Sequence, residues 1–194
     1  AALLVVGNRG RGPVRSTVLG SVALHCVTHA RCPVVVVHPR SDAGLRPRRV
    51  VVGVDGSPVA QSALDRAAEE AARIGGEVLA VAAYSPESYW SDAYEVLVPP
   101  TEQLRADAAR GAEMMADKVR MPGGPVVRTE VVEGAAGDVL VRVAEGAELL
   151  VVGGRGRGTL RGMLLGSVAL HCVLHAPCPV MVVHPDRDGA SRGR

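Results

Sequence analysis

An open, doubly wound α/β domain built on a five-stranded parallel sheet is the fold the sequence predicts, and three observations predict it. Residues 50–54 are a continuous valine-rich run without the in–out alternation of a half-buried strand, the mark of a strand covered on both faces. Such runs alternate along the chain with helical stretches that begin and end on capping residues. A glycine-rich loop that opens onto a helix follows the fourth strand, where doubly wound sheets keep their ligand crevice.

The elements of this unit follow in order. Residues 50–54 form the first strand and end in the turn Asp55-Gly56-Ser57-Pro58. Ser57 suits the N-cap of the next helix and Pro58 its first position, where a missing N–H costs nothing. That helix runs to Ile74 and stops at Gly75-Gly76. Residues 78–83 are the second strand, and a loop of Ser, Pro and Tyr over 84–100 leads to a helix capped by Thr101 that reaches about Val119. Residues 126–132 form the third strand and 136–145 a short helix. A fourth strand over 149–152, a helix over 167–175 and a last strand, Val180–Val183, complete the unit.

An internal repeat organises the rest. Residues 3–39 read LLVVGNRGRGPVRSTVLGSVALHCVTHARCPVVVVHP and residues 149–185 read LLVVGGRGRGTLRGMLLGSVALHCVLHAPCPVMVVHP. The offset is 146 throughout, and 28 of the 37 paired positions are identical. A period that long is the size of a whole domain rather than of a solenoid repeat. The expected organisation is therefore a C-terminal β-α-β fragment of a first domain over 1–39, a linker over 40–47, a complete domain over 48–185 and a disordered polar tail over 186–194. A first module that is short by design is the rival reading.

Composition narrows the function classes. A hydrophobic fraction of 47% suffices for a packed core, and with no Phe that core must come from Val, Leu and Ala. A formal charge of only +2 argues against gripping a polyanion by bulk electrostatics. No apolar run approaches the roughly 20 residues needed to cross a bilayer, so the expectation is a cytoplasmic protein without a membrane partner.

The chemistry should sit at the carboxyl ends of the strands. There Gly153-Gly154-Arg155-Gly156-Arg157-Gly158 extends to Gly166-Ser167. Glycine lets backbone amides approach an anion closely, and the free N–H groups and dipole of the helix opened by Gly166-Ser167 face the same space. A P-loop would need Lys after its second glycine, whereas Thr159 stands there; a dinucleotide fingerprint would follow the first strand, not the fourth. Asp55, across the switch point, reads either as a ligand to the bound group or as the acceptor of an ordinary Asx turn. Arg155 and Arg157 have the charge to pair with phosphate, but loop arginines are usually solvated and stay outside the first-choice site.

The spacing Gly153-x2-Gly156-x9-Gly166-Ser167 resembles the nucleotide-binding signature of the universal stress protein family, and Gly7-x2-Gly10-x9-Gly20-Ser21 repeats it. The Val-Gly-Val-Asp55-Gly-Ser turn and Cys178-Pro-Val-Met-Val-Val183 are similar to that family too. The resemblance implies an adenine nucleotide alpha hydrolase-like fold in a tandem arrangement with the first domain truncated. It implies ATP as the cofactor, with Mg²⁺ as its companion. Carried over by position, Gly153, Gly156, Gly166, Ser167 and the backbone of Val168 hold the phosphates, Asp55 lies near ribose and phosphates, and Val54 and Ala83 lie against adenine and ribose. It further implies edge-to-edge pairing of last strands, which would set Val34–Val37 antiparallel to Val180–Val183, as a pseudo-dimer within one chain or a homodimer between two.

The remaining reactive residues support no catalytic centre. His171-Cys172-x2-His175-x2-Cys178 recurs as His25-Cys26-x2-His29-x2-Cys32, but four ligands from one helix end close poorly around tetrahedral zinc, and no metal site is expected. All six histidines lie in the duplicated segments, and Gly-x-Ser-x-Gly is absent. The expectation is a binder, not an enzyme, in which any ATP hydrolysis is slow. A slow ATPase or nucleotide-transferring enzyme stays open, as does an RNA-binding module using the Arg-Gly loops. The latter lacks stacking aromatics in those loops, so no nucleic-acid partner is expected.

Overall fold

The computed structural model describes residues 3–8, 19–38, 48–86, 100–156 and 165–184. The expected linker at 40–47, the tail at 186–194, most of the loop over 84–100, and Gly10, Arg157 and Gly158 lie outside the described residues.

The elements run β1 (Leu4–Gly7), α1 (Ser21–His29), β2 (Val34–Val37), β3 (Arg49–Gly53), α2 (Pro58–Ile74), β4 (Glu77–Tyr84), α3 (Thr101–Asp117), β5 (Val127–Glu133), α4 (Ala136–Val143), β6 (Leu149–Gly153), α5 (Ser167–His175) and β7 (Val180–Val183). They form one mostly parallel sheet in the order β1-β2-β7-β6-β3-β4-β5. The five strands expected for the complete unit are β3 to β7, all parallel to their neighbours in that unit. β1 and β2 extend the same sheet to seven strands.

Continuity comes from one antiparallel seam. β2 pairs with β7 as Val34↔Val182, Val35↔Met181 and Val36↔Val180. Given the offset of 146, Met181 is the repeat counterpart of Val35, and the flanking pairs exchange places. The seam therefore has a local pseudo-twofold axis between Val35 and Met181. Burying the last strand of each copy against the other removes two edges at once.

Burial explains the strand chemistry. Val50, Val51 and Val52 of β3 have no exposed surface, because β6 and β4 flank them and helices cover both faces. Edge strand β5 instead alternates, with Arg128 and Glu130 exposed, which blunts pairing with other chains. One face of the sheet packs on α1, α4 and α5 through Ala23, Val27, Leu140, Ala169 and Val173. The other packs on α2 and α3 through Ala60, Ala63, Leu64, Ala67, Ala112 and Met115. By strand alternation Val5 and Val37 stand on that second face and are exposed, whereas their repeat counterparts Val151 and Val183 are buried beneath α2.

Helix α2 begins and ends on the expected residues. Ser57 Oγ accepts from the Ala60 amide, Pro58 occupies the first position, and Gly75 closes the helix at φ 63°. Several boundaries differ by a residue or two. β3 ends at Gly53, so Val54 lies just past the strand. Thr101 is the first residue of α3 and not its cap, because the Leu104 amide already donates to Pro100 O. The helices α3 and α4 stop at Asp117 and Val143, two residues short of expectation, where the last turns tighten onto i−3 carbonyls.

Candidate functional site

The strand order places a topological switch between β3 and β6. From β3 the chain moves outward through β4 to β5, then returns to the other side of β3 for β6 and β7. The loops after β3 and β6 therefore leave the sheet in opposite directions, and a crevice must open between them. A cavity of about 800 Å³ lies there, within the range of sites that take a nucleotide-sized ligand.

Hydrogen bonds fix the loop after β6 at both ends. The Gly154 amide donates to Val183 O (2.7 Å), tying the start of the loop to β7. The Gly166 amide donates to Gly154 O (2.7 Å), tying its end back to its start. Gly166 is the N-cap of α5 at φ −77° and ψ 154°, and without a side chain it cannot cap the helix. No acidic residue sits in the first turn either. The positive end of α5 thus opens on the cavity through Gly166, Ser167 and Val168, with no side-chain cap on its first-turn amides among the described residues. The first copy repeats the pattern: Asn8 donates to Val37 O (3.0 Å) and Gly20 to Asn8 O (2.9 Å).

The loop after β3 forms the opposite wall. Asp55 Oδ1 accepts from the Ser57 amide (2.9 Å), the expected Asx turn, and Gly56 follows at φ 81°. Asp55 also faces the glycine loop, since a methyl at Gly156 would lie 2.7 Å from Asp55 Oδ2. At Gly153 a methyl would meet Val59 Cγ1 at 3.1 Å and Arg155 O at 3.2 Å, so this glycine lets the loop pass close to α2. At Gly166 the nearest atom of a described, non-adjacent residue would be 3.5 Å away, which is ordinary contact. Packing among the described residues therefore accounts for glycine at 153 and 156 but not at 166.

All eight residues singled out from the sequence line this one cavity: Val54, Asp55, Ala83, Gly153, Gly156, Gly166, Ser167 and Val168. Val54 is buried at the end of β3, and Ala83 is half-buried near the end of β4. The structure adds a wall that the sequence reading missed. Leu104, Asp107, Ala108, Gly111 and Ala112 of α3 also line the cavity. Their spacing of i, i+3, i+4, i+7 and i+8 is one helix face and was readable, but no motif tied that face to the glycine loop. Arg155 lines the cavity too, although its charge alone did not distinguish it from a solvated loop arginine.

Electrostatics around the loop are lopsided. Burial first, and then the Arg155 guanidinium, push the His184 imidazole below its ordinary pKa. Its Nε2 is buried with no hydrogen-bond partner among the described residues. At the other end of the cavity, Tyr84 donates to Glu133 (3.2 Å), and desolvation followed by that carboxylate raises its pKa, keeping the hydroxyl protonated.

The histidine–cysteine cluster stands elsewhere. His171 and His175 lie with ring centroids 4.6 Å apart, and Asp138 approaches His171 at 3.0 Å. Cys172 and Cys178 are buried, and desolvation pushes the Cys172 thiol up to about 12. Among the described residues no group of three or more His, Cys, Asp or Glu is placed to hold a metal ion. Nor, among them, is any helix long and apolar enough to cross a membrane.

Comparison with known proteins agrees with this architecture. The family model described as the universal stress protein family matches residues 1–38 and 47–184. A universal stress protein of Mycobacterium tuberculosis (strain ATCC 25618 / H37Rv) is 40% identical over 191 residues, covering 94% of this chain and 61% of the relative. One from Mycolicibacterium smegmatis is 37% identical over 190 residues, covering 95% of this chain and 62% of its own length. The chain thus spans about three fifths of the length of these relatives. Among solved structures, a universal stress protein of Lactobacillus plantarum superposes with a TM-score of 0.60 at 27% identity, covering 72% of this chain and 99% of that one. One from Archaeoglobus fulgidus gives 0.60 at 24%, covering 96% and 62%, and shows the fold alone. By the family match over both segments and by these identities, the chain belongs to the universal stress protein family.

Proposed function

We propose that this chain binds ATP, accompanied by Mg²⁺, in the cavity at the β3–β6 switch point, and acts as a nucleotide-dependent regulator of stress adaptation rather than as an enzyme. One observation carries the reading: the eight residues that the family resemblance assigns to the nucleotide, drawn from four separate segments, line a single cavity. The local chemistry fits the group. A helix N-terminus without a side-chain cap favours phosphate, and Gly166 leaves space that protein packing does not require. The bound nucleotide would supply a charge-dense group whose presence or absence the protein can signal.

Each wall then has a task. The amides of the loop and of α5 take the phosphate oxygens, with the Ser167 hydroxyl as a further donor. Asp55, held by its Asx turn, offers a carboxylate to Mg²⁺ or to ribose hydroxyls. Val54 and Ala83 present apolar surface to the base and sugar.

In this reading β1, α1 and β2 correspond to the last strand, helix and strand of a tandem family domain. The cavity at the β3–β6 switch point accommodates one nucleotide, and one site per chain is the expected stoichiometry. Mass spectrometry of small molecules released from denatured protein, with calorimetric titration, tests both points. The expected result is an adenine nucleotide at one site per chain. Absence of any adenine-nucleotide binding at millimolar concentration would overturn the assignment, and two equivalent sites would overturn the stoichiometry. Turnover of ATP well above background would move the reading to an enzyme.

A further inference from the structure

Arg155 stands out once the site is assembled. Its Nε is fully buried and has no hydrogen-bond partner among the described residues. Buried guanidinium nitrogens are normally paired, so such a group calls for a partner of its own. No described acidic side chain forms an ion pair with it, and it is the only cationic side chain among the described residues lining the cavity.

Its position sharpens the point. A methyl at Gly166 would lie 3.6 Å from Arg155 Cα, which sets the arginine against the N-terminus of α5. That is the end of a helix where a cation is disfavoured. The first turn of α5 holds no acid to offset it. Two groups that favour anions, the α5 N-terminus and the Arg155 guanidinium, therefore meet beside the glycine loop, with the Asp55 carboxylate as the opposing charge across the loop. A chain of phosphates can engage the α5 amides with one phosphate and the Arg155 guanidinium with another, which a single phosphate cannot do at once.

We propose that Arg155 is the residue by which this site distinguishes a polyphosphate from a monophosphate, its guanidinium pairing with non-bridging oxygens beyond the first phosphate. The assignment rests on the ATP reading for its natural ligand but not for its chemistry. The geometry calls for a multiply charged phosphate chain at Arg155, whether or not a nucleoside is attached. A fork of N–H donors suits two oxygens of one phosphate better than a lysine would.

Titration calorimetry of wild type, Arg155→Gln and Arg155→Lys with ATP, AMP, adenosine and inorganic tripolyphosphate tests it, with thermal melts confirming that each variant is folded. Arg155→Gln should lose about tenfold or more in affinity for ATP and tripolyphosphate and change by less than about threefold for AMP and adenosine. Arg155→Lys should fall between. If wild type binds tripolyphosphate in an Arg155-dependent way but not ATP, the adenine reading falls and this one stands. Equal losses for ATP and adenosine, an ATP affinity in folded Arg155→Gln within about twofold of wild type, or a wild type that binds neither polyphosphate would each overturn it.

Discussion

Gly166→Ala separates the needs of the protein from the needs of its ligand. The new methyl would meet Gly154 O at 3.5 Å, Arg155 Cα at 3.6 Å and the Gly156 amide nitrogen at 3.9 Å, all ordinary contacts. The backbone there is extended, at φ −77° and ψ 154°, so alanine fits without strain. Replacing glycine at a compatible position stabilises by about 0.4–1 kcal/mol through the unfolded chain. Alanine is a poorer N-cap than glycine by a few tenths of a kcal/mol to roughly 1 kcal/mol. The two terms nearly cancel, and the melting temperature should move by no more than a few degrees. The nucleotide should respond differently, because the methyl occupies the approach to the α5 amides. Losing one or two charge-assisted hydrogen bonds, each worth about 1.5–3 kcal/mol, predicts at least a tenfold loss of ATP affinity. Calorimetry beside a thermal melt reads both quantities. A folded Gly166→Ala protein with unchanged ATP affinity would show that phosphate does not sit at this helix end, and the placement of the site would be wrong.

Other perturbations follow from the same geometry. Gly156→Val should abolish ATP binding in a folded chain, but its first effect is to displace the Asp55 carboxylate, whose Oδ2 would lie 2.7 Å from the new Cβ; a structure of the variant in which Asp55 has not moved would refute this. Asp55→Asn keeps an oxygen for the Ser57 amide and removes the charge, whereas Asp55→Ala removes both. Asn should therefore lose Mg²⁺-dependent ATP affinity, by about tenfold, at nearly wild-type stability, and Ala should lose both, as titration and melting would read. Stability should fall as pH rises through the window from about 9 towards about 12, because the Cys172 thiol ionises in the unfolded chain well before it ionises in the fold. Denaturant titration across that range should show the slope, and Cys172→Ala should flatten it. The burial-lowered His184 predicts the opposite limb. Below its unfolded value of about 6.5 the unfolded chain binds a proton first, so stability falls on acidification, less so in His184→Gln.

The fold was legible wherever local chemistry and burial agreed. Val50, Val51 and Val52 read as a doubly covered strand because β3 is one, and Ser57, Pro58 and Gly75 bounded α2 because each meets a local backbone demand. Thr101 misled because a good capping side chain does not act when the preceding Pro100 carbonyl already starts the helix. At the site, the glycine spacing was readable because close backbone approach excludes other residues. The α3 wall was not, since Ala108 and Gly111 acquire meaning only when a helix distant in sequence is laid over the ends of β3 and β4. Arg155 was opaque for a similar reason. Whether a loop arginine is solvated or buried depends on tertiary packing, and its sequence neighbours carry no trace of that.

The seam between β2 and β7 changes what a mutation can do. In an assembly of two identical chains, one substitution at the twofold axis strikes both sides and meets itself. Here the axis falls between Val35 and Met181, two independent codons, so each half can vary alone. Positions that would be forced to self-complement are free to become complementary unlike pairs, a valine opposite a methionine being one instance. The joined arrangement also makes the contact intramolecular, so its population does not fall with dilution as that of a two-chain assembly does. A protein whose cellular abundance swings widely would keep this seam intact across the whole range.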